Sequence, residues 1–158
     1  MAHITRAGST PDVGTARNRV RKSVTFDGGA GSGAVGTVAL FTVTGQVYID
    51  RFTAFCTTVL GGTAGVSAGF ANDVDGLTTI ITSGNWAAGE FWGSGNVQPG
   101  SMNMPRPTAG GQNGGFPLDK AVSENIILTI TTSAVASGAA TFDVWYTPIS
   151  DGATITAA

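Results

Sequence analysis

From Arg19 onward, apolar and polar positions alternate with a period of two, the spacing of a half-buried β-strand. In "RVRKSVTFD", Val20, Lys22, Val24 and Phe26 share one side, opposite Arg21, Ser23, Thr25 and Asp27. In "VGTVALFTVTG", Val35, Thr37, Ala39, Phe41 and Val43 are expected on one face, with Val38, Leu40 and Thr42 on the other. "QVYIDRFTAFC" sets Tyr48, Asp50, Phe52, Ala54 and Cys56 against Val47, Ile49, Arg51, Thr53 and Phe55. The "TGQ" between these runs reads as a tight hairpin. Further strands are expected over residues 66–72, 77–82, 90–97 (weak), 121–132 and 139–147, joined by turn-forming "GGTAG", "NDVDG", "SGN", "SAVASG" and "SDG". About eight strands at this spacing, without a helical pattern, predict an all-β fold: an antiparallel β-sandwich or jelly roll.

Two segments fall outside the alternation. The first is the start of the chain, where residues 1 to about 19 are polar, with Gly8, Pro11 and Gly14. We read residues 1–22 as an extended N-terminal arm and 23–158 as the sandwich domain. The second is 93–118, "GSGNVQPGSMNMPRPTAGGQNGGFPL", which holds four of the six prolines and seven glycines. It is too long for an ordinary connector, and loops of this length are usually functional or interfacial.

Charge separates the same two regions. Arg6, Arg17, Arg19, Arg21 and Lys22 against Asp12 give residues 1–22 a charge of +4, while the rest of the chain carries −6. Only 11% of the 158 residues are charged, against about a quarter in an average soluble domain. Such a surface suits contact with other protein, because solubility normally leans on charge. No run nears the roughly 20 apolar residues of a bilayer span. The N-terminus lacks the apolar stretch of a secretory signal. Cys56 is the single cysteine, which excludes an internal disulfide, and it is expected as a core residue.

The motifs that could carry chemistry each lack a partner. Gly31, Gly33 and Gly36 in "GAGSGAVG" fit the G-x-G-x-x-G of a dinucleotide site, and Asp50 lies where a ribose-binding acid would. That site needs a helix after the glycines, and a β-branched, alternating run follows instead, so the glycines read as a connection supplying positive φ. "GVSAG" places Ser67 in a G-x-S-x-G pattern, but the one histidine, His3, lies in the arm. "NDVDG" resembles a calcium loop but has Ala71 and Thr82 where ligands belong, and reads as a turn. One histidine and one cysteine cannot build a zinc site. No enzyme activity, metal or cofactor is expected. Trp86, Phe91 and Trp92, around Glu90, are candidates for stacking a glycan, for a subunit contact, or for sealing one end of the sandwich. The basic "RNRVRK", 17–22, lacks interleaved aromatics for nucleic acid and fits an acidic protein surface better.

"SVTFDGGAGSGAVGTVALFTVTGQVYIDRFTAFCTTVL", "GTAGVSAGFAND" and "ENIILTITTSAVASGAATFDVWYTPISDGATI" resemble small structural proteins of tailed bacteriophages. The resemblance rests on a "G-x-V-x-L-F-x-V-T-G" stretch at Gly36 to Gly45 and on "F-x-V-W-Y-x-P-I-S" at Phe142 to Ser150, and it covers roughly residues 23–156. It implies a virion component, a head decoration (cement) protein on the capsid surface. It further implies the major capsid protein and copies of itself, as a homotrimer, for partners, with no nucleic acid or membrane. Arg6, Arg17, Arg19, Arg21 and Lys22 are then the candidate capsid interface, a role read from the residues alone. A tail, baseplate or head-fibre component, or a glycan-binding module, are the alternative readings.

Overall fold

The computed structural model describes residues 18–93 and 120–158. They form two five-stranded antiparallel sheets packed face to face. The strands are β1 (Asn18–Thr25), β2 (Gly36–Thr44), β3 (Val47–Thr58), β4 (Gly65–Gly69), β5 (Ile81–Thr82), β6 (Phe91–Gly93), β7 (Lys120–Val122), β8 (Ile126–Thr131), β9 (Ala139–Pro148) and β10 (Thr154–Ala157). Sheet A has the order β1-β9-β3-β6, with β7 also on β3, and sheet B has the order β10-β2-β8-β4-β5. The all-β sandwich expected from the alternation is present, with ten strands where about eight were expected.

The core lies between the sheets. Sheet A contributes Val24, Ile49, Phe52, Cys56, Phe142 and Val144, and sheet B contributes Leu40, Phe41, Val66, Ile126, Leu128 and Ile130. Strict alternation cannot bury both Leu40 and Phe41. A bulge between Ala39 and Phe41 shifts the register against β8, so Val38 and Leu40 point inward before it and Phe41 and Val43 after it. A second bulge, between Ile49 and Arg51, does the same in β3: Val47 and Ile49 are buried before it, Phe52, Ala54 and Cys56 after it. The single-phase faces expected for these two strands are therefore wrong from the bulge onward.

Other expectations also change. "TGQ" is not a hairpin: β2 belongs to sheet B and β3 to sheet A, so Gly45, at φ 71°, turns the chain from one sheet to the other. The expected strand at 121–132 is two strands, because the chain changes sheets at Ser123, Glu124 and Asn125, and the Asn125 side chain accepts the Val43 amide. Only Ile81 and Thr82 of 77–82 are strand, since the Leu77 and Thr78 amides both go to the Ala68 carbonyl. β10, not foreseen, pairs with β2. At the other end, β1 begins at Asn18 and pairs with β9 along its whole length, so 18–22 belong to the sandwich rather than to an arm.

Candidate binding face

The outer face of sheet A is built in register rows. The first row runs Arg19, Trp145, Arg51 across β1, β9 and β3; the second runs Arg21, Asp143, Thr53; the third runs Ser23, Thr141, Phe55, Phe91. In a strand, every second residue faces outward, which is why these side chains meet from four distant parts of the sequence.

The guanidinium carbons of Arg19 and Arg51 lie 5.2 and 5.8 Å from the Trp145 ring centroid, within cation–π range. Arg19 Nε also donates to Asp143 Oδ1 at 2.9 Å, and Arg21 grips both oxygens of the same carboxylate. The Asp143 side chain is 8% exposed, and those of Arg19 and Arg21 are 44% and 57% exposed. Burial alone pushes the Asp143 carboxyl up, but the hydrogen bonds and charges of Arg21 and Arg19 outweigh it and hold it below the usual carboxylate range. Asp143 raises Arg21 in return. Three cations stand against Asp143 and, farther along, Asp50, which accepts from Thr147, so the face keeps an excess of positive charge although the described residues carry more acids than bases.

Of the candidate interface cations, Arg6 and Arg17 lie outside the described residues. Arg19 and Arg21 are on this face. Lys22 is not: it sits opposite the buried Phe142 in β1, and its amine donates to the Ala158 carbonyl of β10's end, tying the two sheets together at one side. Arg51, Asp143 and Trp145 had not been singled out. A lone carboxylate inside the otherwise apolar "TFDVWY" was the available signal, since a carboxylate within a strand calls for a cation across the register.

Trp86 and Trp92 cannot stack a sugar. Both are fully buried, 5.2 Å apart and edge to face, with Trp86 also against Phe142 and its indole N–H donating to the Glu90 carbonyl. Glu90 caps the Ala87 amide. Only Phe91 of the three aromatics reaches the surface, where it packs on Phe55 with centroids 4.8 Å apart. Cys56 is buried as expected, and burial pushes its thiol up.

The glycine loop turns the chain, and the amides of Asp27, Gly29, Ser32 and Ala34 are taken up by bonds within it. Asp27 accepts from the Gly29 amide and the Ser32 hydroxyl, which hold its carboxyl low, the Ala34 amide goes to the Gly29 carbonyl, and the Gly33 carbonyl accepts from Val135. Gly31, Gly33 and Gly36 have φ of 77°, 142° and 133°, the positive values expected of them. Ser67 is buried and donates to the Val74 carbonyl at 2.9 Å, which fixes the 70–76 turn on sheet B. That turn is closed by paired Phe70 and Asp73 backbone bonds, and its Asp73 side chain meets Lys120 at 3.2 Å. Among the described residues, no three His, Cys, Asp or Glu side chains gather as a metal site. No family model, curated protein or solved structure matches this chain.

Proposed function

We propose that this chain is a structural virion protein that decorates the capsid surface of a tailed bacteriophage, acting by binding rather than by chemistry. The observation that carries this reading is the junction at β1. Arg19 and Arg21 fasten that edge strand to Asp143 of β9, so the chain before Asn18, with Arg6 and Arg17 against Asp12, follows on from a strand of the sandwich. Together with Arg19 and Arg21 on β1, that segment's Arg6 and Arg17 would suit an acidic patch on the capsid partner's surface. The low charge of the chain and the positive, aromatic face of sheet A give the body further surface for protein contact.

The strand order adds support at the level of fold only. Leaving out β7 and β10, β1-β9-β3-β6 faces β2-β8-β4-β5, an interleaving that we read as a jelly roll, a fold used by viral coat proteins and also by unrelated proteins.

The test is a count. Particles are purified from cultures of the phage encoding the chain, and its copies are measured by mass spectrometry against the major shell protein. A decoration protein is present at a fixed ratio approaching the number of shell subunits. Absence from the particle overturns the proposal, and a handful of copies replaces it with a tail or fibre role.

A further inference from the structure

We infer that the Arg19, Trp145, Arg51 row binds the turn at 73–75 of a second copy of this chain, in a head-to-tail contact. The inference is independent of the identity of any shell.

The row is an incompletely neutralised anion site. Arg51 has no carboxylate partner among the described residues, and its guanidinium lies over the Trp145 ring. Arg19 gives Asp143 its Nε alone, leaving its two terminal nitrogens without a partner among the described residues. The strands set the Arg19 and Arg51 backbones about 10 Å apart, two inter-strand spacings. Both side chains lean inward to within 6 Å of the indole centroid, so their charges flank an apolar ring.

The turn at 73–75 has the inverse pattern. Asp73, Val74 and Asp75 place an apolar side chain between two carboxylates, Val74 is 41% exposed, and of the two acids Asp73 is shared with Lys120 while Asp75 is not. Asp75 has no partner among the described residues, whereas Asp27, Asp50, Asp143, Glu90 and Glu124 all accept hydrogen bonds. Asp151 is also unpaired, but no second carboxylate stands beside it, whereas Asp75 is two residues from Asp73, whose side chain is 53% exposed and gives only Oδ2 to Lys120. Two carboxylates separated by one residue lie at most about 7 Å apart at their backbones. They can therefore reach two guanidinium groups that converge on one ring, with the valine side chain on the indole.

The turn is held ready for docking. Phe70 and Asp73 exchange backbone bonds, the Gly76 amide joins the Asp73 carbonyl, and Ser67 holds the Val74 carbonyl. A turn already ordered loses little entropy on binding. It also lies against β4 of sheet B: a Cβ on Gly69 would sit 2.2 Å from the Asp73 carbonyl oxygen. The arginine row faces away from sheet B, so row and turn meet only between copies. The two surfaces differ, which makes the contact heterologous and lets it close into a ring or extend into a chain.

The experiment is sedimentation velocity on the full chain over a concentration series, at low and at high salt. We expect association that strengthens with concentration and weakens with salt, because the contact is between charges at a surface. Arg51→Glu and Asp75→Arg should each weaken it about tenfold or more. The double variant should recover it, since the reversed charges face each other again. Neither residue holds a hydrogen bond that the fold depends on, and circular dichroism of each variant checks that the sandwich is intact. A monomer at every concentration and salt overturns the inference. So does association unaffected by both single reversals, or a double variant no better than the singles. Shell binding is not read in this assay, so its result stands apart from the decoration proposal.

Discussion

Arg21 sits directly across the register from Asp143 and holds it with two hydrogen bonds, Nε to Oδ1 at 3.0 Å and Nη2 to Oδ2 at 2.9 Å. The fork joins the edge strand of sheet A to its neighbour through the planar geometry that arginine and carboxylate share. With Arg19 on the same carboxylate, Asp143 bridges a pair of guanidinium groups that would otherwise repel. Asp143→Ala should therefore destabilise the protein by about 1–2 kcal/mol, after allowance for the exposed arginines. In a chain of this size that lowers Tm by about 3–6 °C. Circular dichroism melts measure it, and an unchanged Tm would show that β1 is held by its backbone bonds alone.

The same carboxylate sets a pH dependence. Its folded pKa is below the unfolded value of about 3.9, so its contribution is fully present above that value. As pH falls, the unfolded chain takes up the proton first, and the contribution disappears as pH drops through the folded pKa. Stability should be flat in this respect from neutral pH to about 5 and decline below about 4. Denaturant midpoints measured down the pH scale test it. In Asp143→Ala the acid decline should be shallower, and a decline of equal depth would assign it to other carboxylates.

How far the sequence carries depends on the range of the interaction. The alternation in β1, β8 and β9 is local, and it places Val24, Ile126, Leu128, Ile130, Phe142 and Val144 in the core. The bulges in β2 and β3 arise from partner strands, so the phase change at Leu40 and at Asp50 could not be read from either strand alone. The "TGQ" turn is short enough for a hairpin, and only the closure of two sheets makes it a crossing. Trp86 and Trp92 lie among glycines and small residues without an alternating pattern, so their spacing leaves a surface role and a sealing role both open, and the structure puts their large rings in the core beside Phe142. The Arg19, Trp145, Arg51 row joins residues far apart in the chain, and no spacing within the sequence announces it. Arg19 and Arg21 were legible as a basic run, but their carboxylate partner lies 124 and 122 residues away.

The burial of the tryptophans gives an optical prediction. Trp86 and Trp92 are enclosed, and Trp145 is only half-buried on the outer face. In Trp145→Phe the remaining emission should be blue-shifted and nearly unquenched by acrylamide, while the parent protein should show one quenchable fraction. Oligosaccharides should leave the Trp145→Phe spectrum unchanged, because neither enclosed indole can reach a sugar. Strong quenching of Trp145→Phe would mean that the two core rings open to solvent. Trp92→Ala should cost about 3–5 kcal/mol, the usual penalty for emptying an aromatic site.

The three glycines of the G-x-G-x-x-G pattern separate the turn from a phosphate site. An alanine Cβ at Gly33 would lie 2.3 Å from the Val135 carbonyl oxygen and 2.8 Å from the Gly28 nitrogen, both backbone atoms, at a φ of 142°. Nothing there can yield without moving the loop against 134–136, so Gly33→Ala should cost at least about 2 kcal/mol. At Gly31 no atom lies within 4 Å, and only the φ of 77° resists a side chain. Gly31→Ala should therefore cost about 1–2 kcal/mol, less than Gly33→Ala. A phosphate cradle would instead make both substitutions weaken ligand binding, and a bound nucleotide would raise Tm by linkage. We expect ATP and NAD to leave the Tm of the unsubstituted protein where it is. A rise with either nucleotide, lost in Gly31→Ala, would restore the cradle.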